Sequence, residues 1–162
     1  MEALFHSLYT VFESDIQKKG LHYSEEIHIR HKYAICDKTR LQEIQLNIVS
    51  NAIKYMEKPK GIIQLRVKDV GDFIQVEIED NGKGIAAKDL PYIFDRFYRT
   101  DVSRNSSKGG SGIGLSIVKK IMEDHGGKVW ATSRLGIGTI MYFVLRKYQE
   151  VPVNEQNFDH RR

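Results

Sequence analysis

A chain of 162 residues with one cysteine, Cys36 in "YAICD", has no internal disulfide to staple it. A single thiol of this kind predicts a reducing, cytoplasmic setting and a fold that relies on its apolar core. No apolar run approaches the roughly 18 residues a membrane-spanning helix needs. No signal-peptide pattern opens the chain either, so no direct membrane contact is expected. A strong excess of one charge sign is also lacking: the net value is +4, and the basic residues are scattered through "IQKKG", "IRHK", "DRFYR", "VKK" and "DHRR". A nucleic-acid footprint needs clustered cations, so no nucleic-acid partner is expected. Two common nucleotide signatures are missing as well. The glycines of "GGSGIGLSIVKK" are not followed by the lysine of a P-loop, and the G-x-G-x-x-G spacing of a dinucleotide fold is absent. There is no internal repeat.

What is present is enough for one domain with a real core, at 41% hydrophobic and 28% charged residues. Leu4, Leu8, Val11, Phe12 and Ile16 recur at helical spacing from Glu2 to about Lys19, and Gly20 stops that helix. "LHYSEEIHIRH" and "KYAICD" read as short strands. Asp37 is placed to cap a helix from Lys38 to Met56, which "EKPKG" ends. "GIIQLRVKD" and "FIQVEIED" form an antiparallel pair turned at Gly71 and Asp72. A loop with one short helix follows, then the polar, glycine-rich Ser103 to Gly112. A helix from about Ile113 to His125 stops at Gly126-Gly127, and "KVWATS" and "GTIMYFVLR" are the last strands. The pattern predicts an α+β fold: a two-layer sandwich of a mixed, mainly antiparallel sheet with helices on one face. Residues 1–148 form the domain, and 149–162, without periodicity, are expected to be a disordered tail.

Three places carry polar residues where the local pattern does not ask for them. In "NIVSNAIKYM", Asn47 and Asn51 stand one turn apart in mid-helix, although asparagine is a mediocre helix former. At about 100° per residue, Leu41, Ile44, Ile48, Val49, Ala52, Ile53 and Met56 share one stripe. Asn47, Asn51 and Lys54 fall within roughly 60° of one another on its flank, with Tyr55 between Asn51 and the stripe. Two amide oxygens and an ammonium at that border suit a magnesium–phosphate group, since a hard cation takes oxygen ligands while keeping waters. The alternative is that both amides face solvent or bond a neighbouring loop.

In "FIQVEIED", Ile74, Val76 and Ile78 point to one face and Phe73, Gln75, Glu77 and Glu79 to the other. Asp80 continues the apolar column, and a carboxylate there must find donors or cost several kcal/mol. Asn81-Gly82 would suit a hairpin, but "KGIAAKDLPYIF" does not resume strand alternation. Asp80 therefore ends a strand over a loop whose Gly82 and Gly84 permit close backbone approach. The amino group of a flat aromatic ligand such as adenine is a suitable donor. Third, Gly109, Gly110, Gly112 and Gly114 open a helix, a phosphate cradle in principle and equally a flexible loop.

In this order the elements resemble the ATP-binding catalytic domain of sensor histidine kinases, within the superfamily shared with type II topoisomerases, mismatch-repair ATPases and a heat-shock chaperone. "NIVSNAIKY" is similar to that family's asparagine box and "DNGKGI" to its first glycine box. "IFDRFYR" resembles its phenylalanine box, "GGSGIGLSIVK" its second glycine box and "GIGT" its third. The resemblance covers roughly residues 1 to 146 and implies a Bergerat-type fold with ATP and Mg2+ bound. It implies that Asn51 binds the metal with Asn47 beside it, that Lys54 contacts phosphate, and that Tyr55 packs near the nucleotide. Asp80 would accept from the adenine amino group, Gly82 and Gly84 would lie against the base, and Ile85 would wall the pocket. Gly110, Gly112, Ile113, Gly114 and Leu115 would shape the cover over the triphosphate, and Thr139 would support the adenine end. Asn47, Lys54 and Arg99 are the implied catalytic set, Arg99 steadying the γ-phosphate or the docked partner. Phe94 and Phe97 would be hinge and packing residues, or simply core.

The resemblance also implies a reaction. In the ATPase branches a glutamate one turn before the metal asparagine activates water; here that position is Asn47, which cannot act as a base. Phosphoryl transfer needs mostly positioning and charge neutralisation, and a neutral imidazole acceptor is already nucleophilic. None of His6, His22, His28, His31, His125 or His160 has the acidic residue and proline expected after an acceptor. The chain is therefore expected to be the catalytic part of a larger kinase, itself membrane-anchored or not. Its partners would be that kinase's histidine-bearing dimerisation domain and, downstream, a response-regulator receiver domain. The competing readings are an anti-sigma-type serine kinase and a nucleotide sensor that transfers nothing.

Overall fold

The computed structural model describes residues 2–30, 37–98 and 114–147, with side chains from residue 10 onward. The strand expected at "KYAICD", all but Asp37, and the tail from Gln149 lie outside the described residues. The elements in order are α1 (Glu2–Lys18), β1 (His22–His28), α2 (Lys38–Lys54), β2 (Ile62–Val70) and β3 (Phe73–Asp80). After a single 3-10 turn (Leu90–Tyr92) come α3 (Gly114–Asp124), β4 (Lys128–Arg134) and β5 (Gly138–Arg146).

The start of α2 is fixed by Asp37, whose Oδ1 accepts from the Thr39 N–H at 2.9 Å and the Arg40 N–H at 3.2 Å. This satisfies two of the amides a helix start leaves without partners. The helix ends two residues earlier than the apolar spacing predicts. Tyr55 is its C-cap, with its N–H donating to the Asn51 carbonyl, and Met56 turns into the core. In α1, Phe12 and Ile16 are buried. Val11 belongs to the apolar spacing but stands exposed, because it lies about 100° round the helix from Phe12.

The five strands run in the order β1-β2-β3-β5-β4. β1 and β2 are parallel, as a connection through a whole helix requires; the other three pairs are antiparallel. One face of the sheet, carrying Ile63, Leu65, Val76, Ile78 and Phe143, is buried under Leu41, Ile44, Ile48 and Val49 of α2, which itself packs against α1 and α3. This is the α+β sandwich the pattern predicts.

Two polar residues are more deeply buried than alternation suggests. Glu77 points to the helix-free face, yet is only 7% exposed. Lys68 Nζ stands 3.0 Å and Arg66 Nη2 3.7 Å from its carboxylate, and the row is continued by Tyr142, stacked on Trp130 with ring centroids 5.2 Å apart. Long side chains and rings on neighbouring strands cover it. Gln45 is 1% exposed, and its Nε2 has no hydrogen-bond partner among the described residues.

Candidate functional site

Asp80 is the last residue of β3 and sits in register with Ile63 of β2 and Thr139 of β5. Its side chain continues the buried column Ile74, Val76, Ile78 at the end of the strand, where it is half-buried. Oδ1 accepts from the Gly82 N–H at 2.9 Å. Burial pushes the carboxyl above its ordinary value of 3.8; the amides of Gly82 and Thr139 pull it down, Glu79 adds to the rise and Lys58 opposes it.

The loop after Asp80 is clamped on both sides. Asn81 reaches back to the start of β2, accepting from the Ile62 N–H at 2.7 Å and donating to the Lys60 carbonyl at 3.0 Å. On the other side the β4–β5 turn lies directly against the loop. Gly84 has φ +73 and a Cβ there would be 2.2 Å from the Arg134 carbonyl oxygen. Gly138 has φ +150 and a Cβ would be 2.1 Å from the Asp80 carbonyl oxygen. Only glycine fits either place, which gives the second glycine of "DNGKGI" and of "GIGT" a common physical reason: two backbones in contact.

Ser133 ties the same segments through its side chain. Its Oγ accepts from the Ile85 N–H at 2.8 Å, donates to the Gly138 carbonyl at 2.9 Å, and lies 2.8 Å from Thr139 Oγ1. With its one proton on the Gly138 carbonyl, Ser133 receives the Thr139 hydroxyl, which leaves the lone pairs of Thr139 as acceptors. Ile85 itself is half-buried against the core, and Thr139 is buried.

The second half of the site is the C-terminal part of α2. Asn47 Nδ2 donates to the Glu43 carbonyl at 2.9 Å, which turns Oδ1 outward. Oδ1 would lie 3.1 Å from a Cβ on Gly114, the first residue of α3, a close approach that a larger residue there would crowd. Asn51, one turn on, is half-buried, and its side-chain amide makes no hydrogen bond among the described residues. The Lys54 Nζ stands 5.4 Å, and the Lys83 Nζ 4.5 Å, from the centroid of the Tyr55 ring. The Tyr55 carbonyl would be 3.3 Å from a Cβ on Gly82, which joins the end of α2 to the Asp80 loop. Leu115 is half-buried on the core.

The structure thus brings together Asp80, Gly82, Gly84, Ile85 and Thr139, connects them to Tyr55 and Lys54, and sets Asn47 against Gly114. Arg99, Gly110, Gly112 and Ile113 lie outside the described residues. Phe94 packs against the core. Phe97 does not: it is 60% exposed, has φ +64, and carries Arg96 over its ring at 4.9 Å. Core packing therefore accounts for the first phenylalanine and not the second.

Among the described residues no group of three His, Cys, Asp or Glu side chains is placed to cage a metal. Amide oxygens of Asn47 and Asn51 are the donors present. That set fits a hard cation which keeps most of its waters and takes its remaining oxygens from a phosphate. A separate cavity of roughly 500 Å3 between α1 and β1, lined by Ile16, Leu21 and Tyr23 among others, includes none of these residues.

Ser133, Lys58 and Lys83 are absent from the sequence-based set. Ser133 could have been found by the reasoning that finds Asp80, because Val129, Ala131 and Ser133 form the inward column of β4. Nothing local marks the two lysines.

Residues 36–149 match the family model described as histidine kinase-, DNA gyrase B-, and HSP90-like ATPase. The chain is 37% identical over 124 residues to the sensor histidine kinase WalK of Bacillus subtilis (strain 168), covering 75% of this chain and 20% of that protein. It is 34% identical over 137 residues to a sensor protein kinase WalK of Staphylococcus aureus, 84% of this chain and 30% of the relative. It thus spans about a fifth to a third of these relatives. Among solved structures, the nucleotide-free catalytic domain of the histidine kinase ThkA superposes with a TM-score of 0.76 at 28% identity, covering 91% of this chain and 92% of that one.

Proposed function

Because this chain belongs to the histidine kinase-, DNA gyrase B- and HSP90-like ATPase family and has the fold of histidine kinase catalytic domains, we propose that it binds Mg–ATP and passes the γ-phosphate to a histidine on a separate dimerisation domain. The domain doing so is residues 1–148. The observation that carries this reading is Asp80: a carboxylate in the inward column at the end of β3, with Thr139 and Gly82 fixed around it.

Each residue has a definite task in the reading. Asp80 accepts from the adenine amino group, and Thr139, as an acceptor oriented by Ser133, supports the same edge directly or through water. Gly82 and Gly84 keep the loop backbone close to the base, and Ile85 walls it. Asn51 and Asn47 hold the magnesium, which supplies charge neutralisation at the phosphates when bound. Lys54 contacts a phosphate oxygen, and Tyr55 packs near the sugar. Gly110, Gly112, Ile113, Gly114 and Leu115 cover the triphosphate, and Arg99 steadies the γ-phosphate or the docked partner. With an amide at Asn47, no side chain there removes a proton from water, which favours transfer to an imidazole over hydrolysis. In such a transfer the histidine nitrogen forms the new N–P bond as the bond from γ-phosphorus to the bridging oxygen breaks, and ADP leaves. A receiver domain would take the phosphoryl group next, in the cytoplasm.

The test is a labelling reaction with γ-radiolabelled ATP. The chain alone should stay unlabelled; with an added histidine-bearing helical hairpin from a related kinase, the hairpin should gain an acid-labile phosphate. Asn51→Ala should remove that transfer and most of the magnesium dependence of ATP binding, while leaving metal-free ADP binding in place. Acid-stable phosphate on the acceptor would point to a serine kinase instead, and label on the chain itself would contradict the division into two domains.

A further inference from the structure

Lys83 has no task in the site as described, yet it is among the better-fixed lysines in the fold. Its carbonyl accepts from the Gly136 N–H at 2.7 Å, and the next residue, Gly84, is pressed against Arg134. The root of the side chain therefore cannot wander. From that root the ammonium reaches over the Tyr55 ring, 4.5 Å from its centroid, and Lys54 approaches the same ring at 5.4 Å. Among the described residues neither ammonium forms an ion pair, whereas Arg66, Lys68 and Lys147 all do. Two like charges beside one ring, neither in an ion pair among the described residues, raise the local positive potential at a cost in free energy. The ring's quadrupole offsets part of that cost, and an anion would offset more.

The place of this pair along the site narrows the anion. The Tyr55 carbonyl abuts Gly82, two residues from Asp80, while Asn51 lies one turn back along α2. The pair stands between the base end and the metal end. We propose that Lys83 is a second phosphate-binding cation, which with Lys54 grips the nucleotide phosphate nearest the sugar. This rests on the adenine-nucleotide reading of the site. Lys83 contributes affinity for the phosphate chain and none for the base.

The experiment is a titration of the full chain with adenosine, AMP and ADP at fixed ionic strength without magnesium, for wild type, Lys83→Met, Lys83→Arg and Asp80→Asn. Lys83→Met should weaken AMP and ADP about two- to fivefold, in the range of a partly exposed charge pair, and leave adenosine unchanged. Lys83→Arg should restore most of the loss. An equal loss for adenosine, or no loss for ADP, overturns the assignment of Lys83 while the adenine reading stands. ADP binding that is absent in the wild type, or indifferent to Asp80→Asn, overturns the adenine reading and Lys83 with it.

Discussion

Asp80→Asn separates the needs of the ligand from the needs of the fold. In the proposed complex the carboxylate accepts one hydrogen bond from the base, and a bond to a charged acceptor is worth about 1.5–3 kcal/mol. Asparagine can turn its amide nitrogen toward the same donor, so affinity for ADP should fall about 10- to 150-fold. Preference for adenine over guanine should narrow in parallel, because guanine presents a carbonyl where adenine presents the amino group, and the ionised carboxylate no longer repels it. The free protein responds with the opposite sign. Burial holds the folded carboxyl above its ordinary value of 3.8, against its amide donors, so the native state binds a proton more readily than the unfolded chain. The stability this residue contributes is fully present below the unfolded value and is lost as pH rises through the higher folded one. Acid should therefore weaken ADP binding from a higher pH than an ordinary carboxylate would, while relieving the fold at this position. Titration calorimetry from neutral to mildly acid pH, beside thermal unfolding of both proteins, measures the two effects. An Asp80→Asn protein with unchanged ADP affinity, or a pH dependence of binding identical to that of the wild type, would mean that Asp80 does not hold the base.

Three further substitutions test the frame around the site. Gln45→Leu removes a buried amide whose Nε2 has no partner among the described residues and should stabilise the chain by about 1–2 kcal/mol in urea unfolding; a destabilised variant would mean the amide is satisfied in solution. Ser133→Ala strips the acceptor from the Ile85 N–H, so ADP should bind more weakly and the Ile85 amide should exchange its hydrogen faster, by about 1–3 kcal/mol in opening free energy. Unchanged exchange would show that Ser133 does not hold the loop. Gly84→Ala places a methyl in a left-handed residue and 2.2 Å from the Arg134 oxygen. Strain of about 1–2 kcal/mol from the backbone alone sets the floor for its cost in denaturant melts, and a loss under 0.5 kcal/mol would mean that the β4–β5 turn moves aside.

Much of this arrangement is legible along single elements. Strand alternation places Asp80 in the buried column, a cap residue places the start of α2, and the stripe on α2 marks the face that packs on the sheet. What is not legible depends on segments far apart in the chain. Ser133 meets Ile85 across 48 residues, and Lys83 meets Tyr55 only because the Asp80 loop folds back onto the end of α2. Gln45 shows the same limit from the other side. Helical spacing places it in the middle of the apolar stripe of α2, between Leu41 and Val49, whereas its polarity argues for the flank; the structure buries it with the stripe. Glu77 and Phe97 likewise differ from alternation and motif because neighbouring side chains and local backbone conformation, not their own chemistry, set their exposure.

The clamp on the Asp80 loop has a thermodynamic corollary. Asn81, Ser133 and the two contacting glycines fix that loop through bonds internal to the protein, so a purine entering there meets dipoles already aimed at it. Little chain entropy is then left to lose at the base end on association. The conformational entropy lost on nucleotide binding should accordingly grow with the length of the phosphate chain, and bare adenosine should dock with almost none.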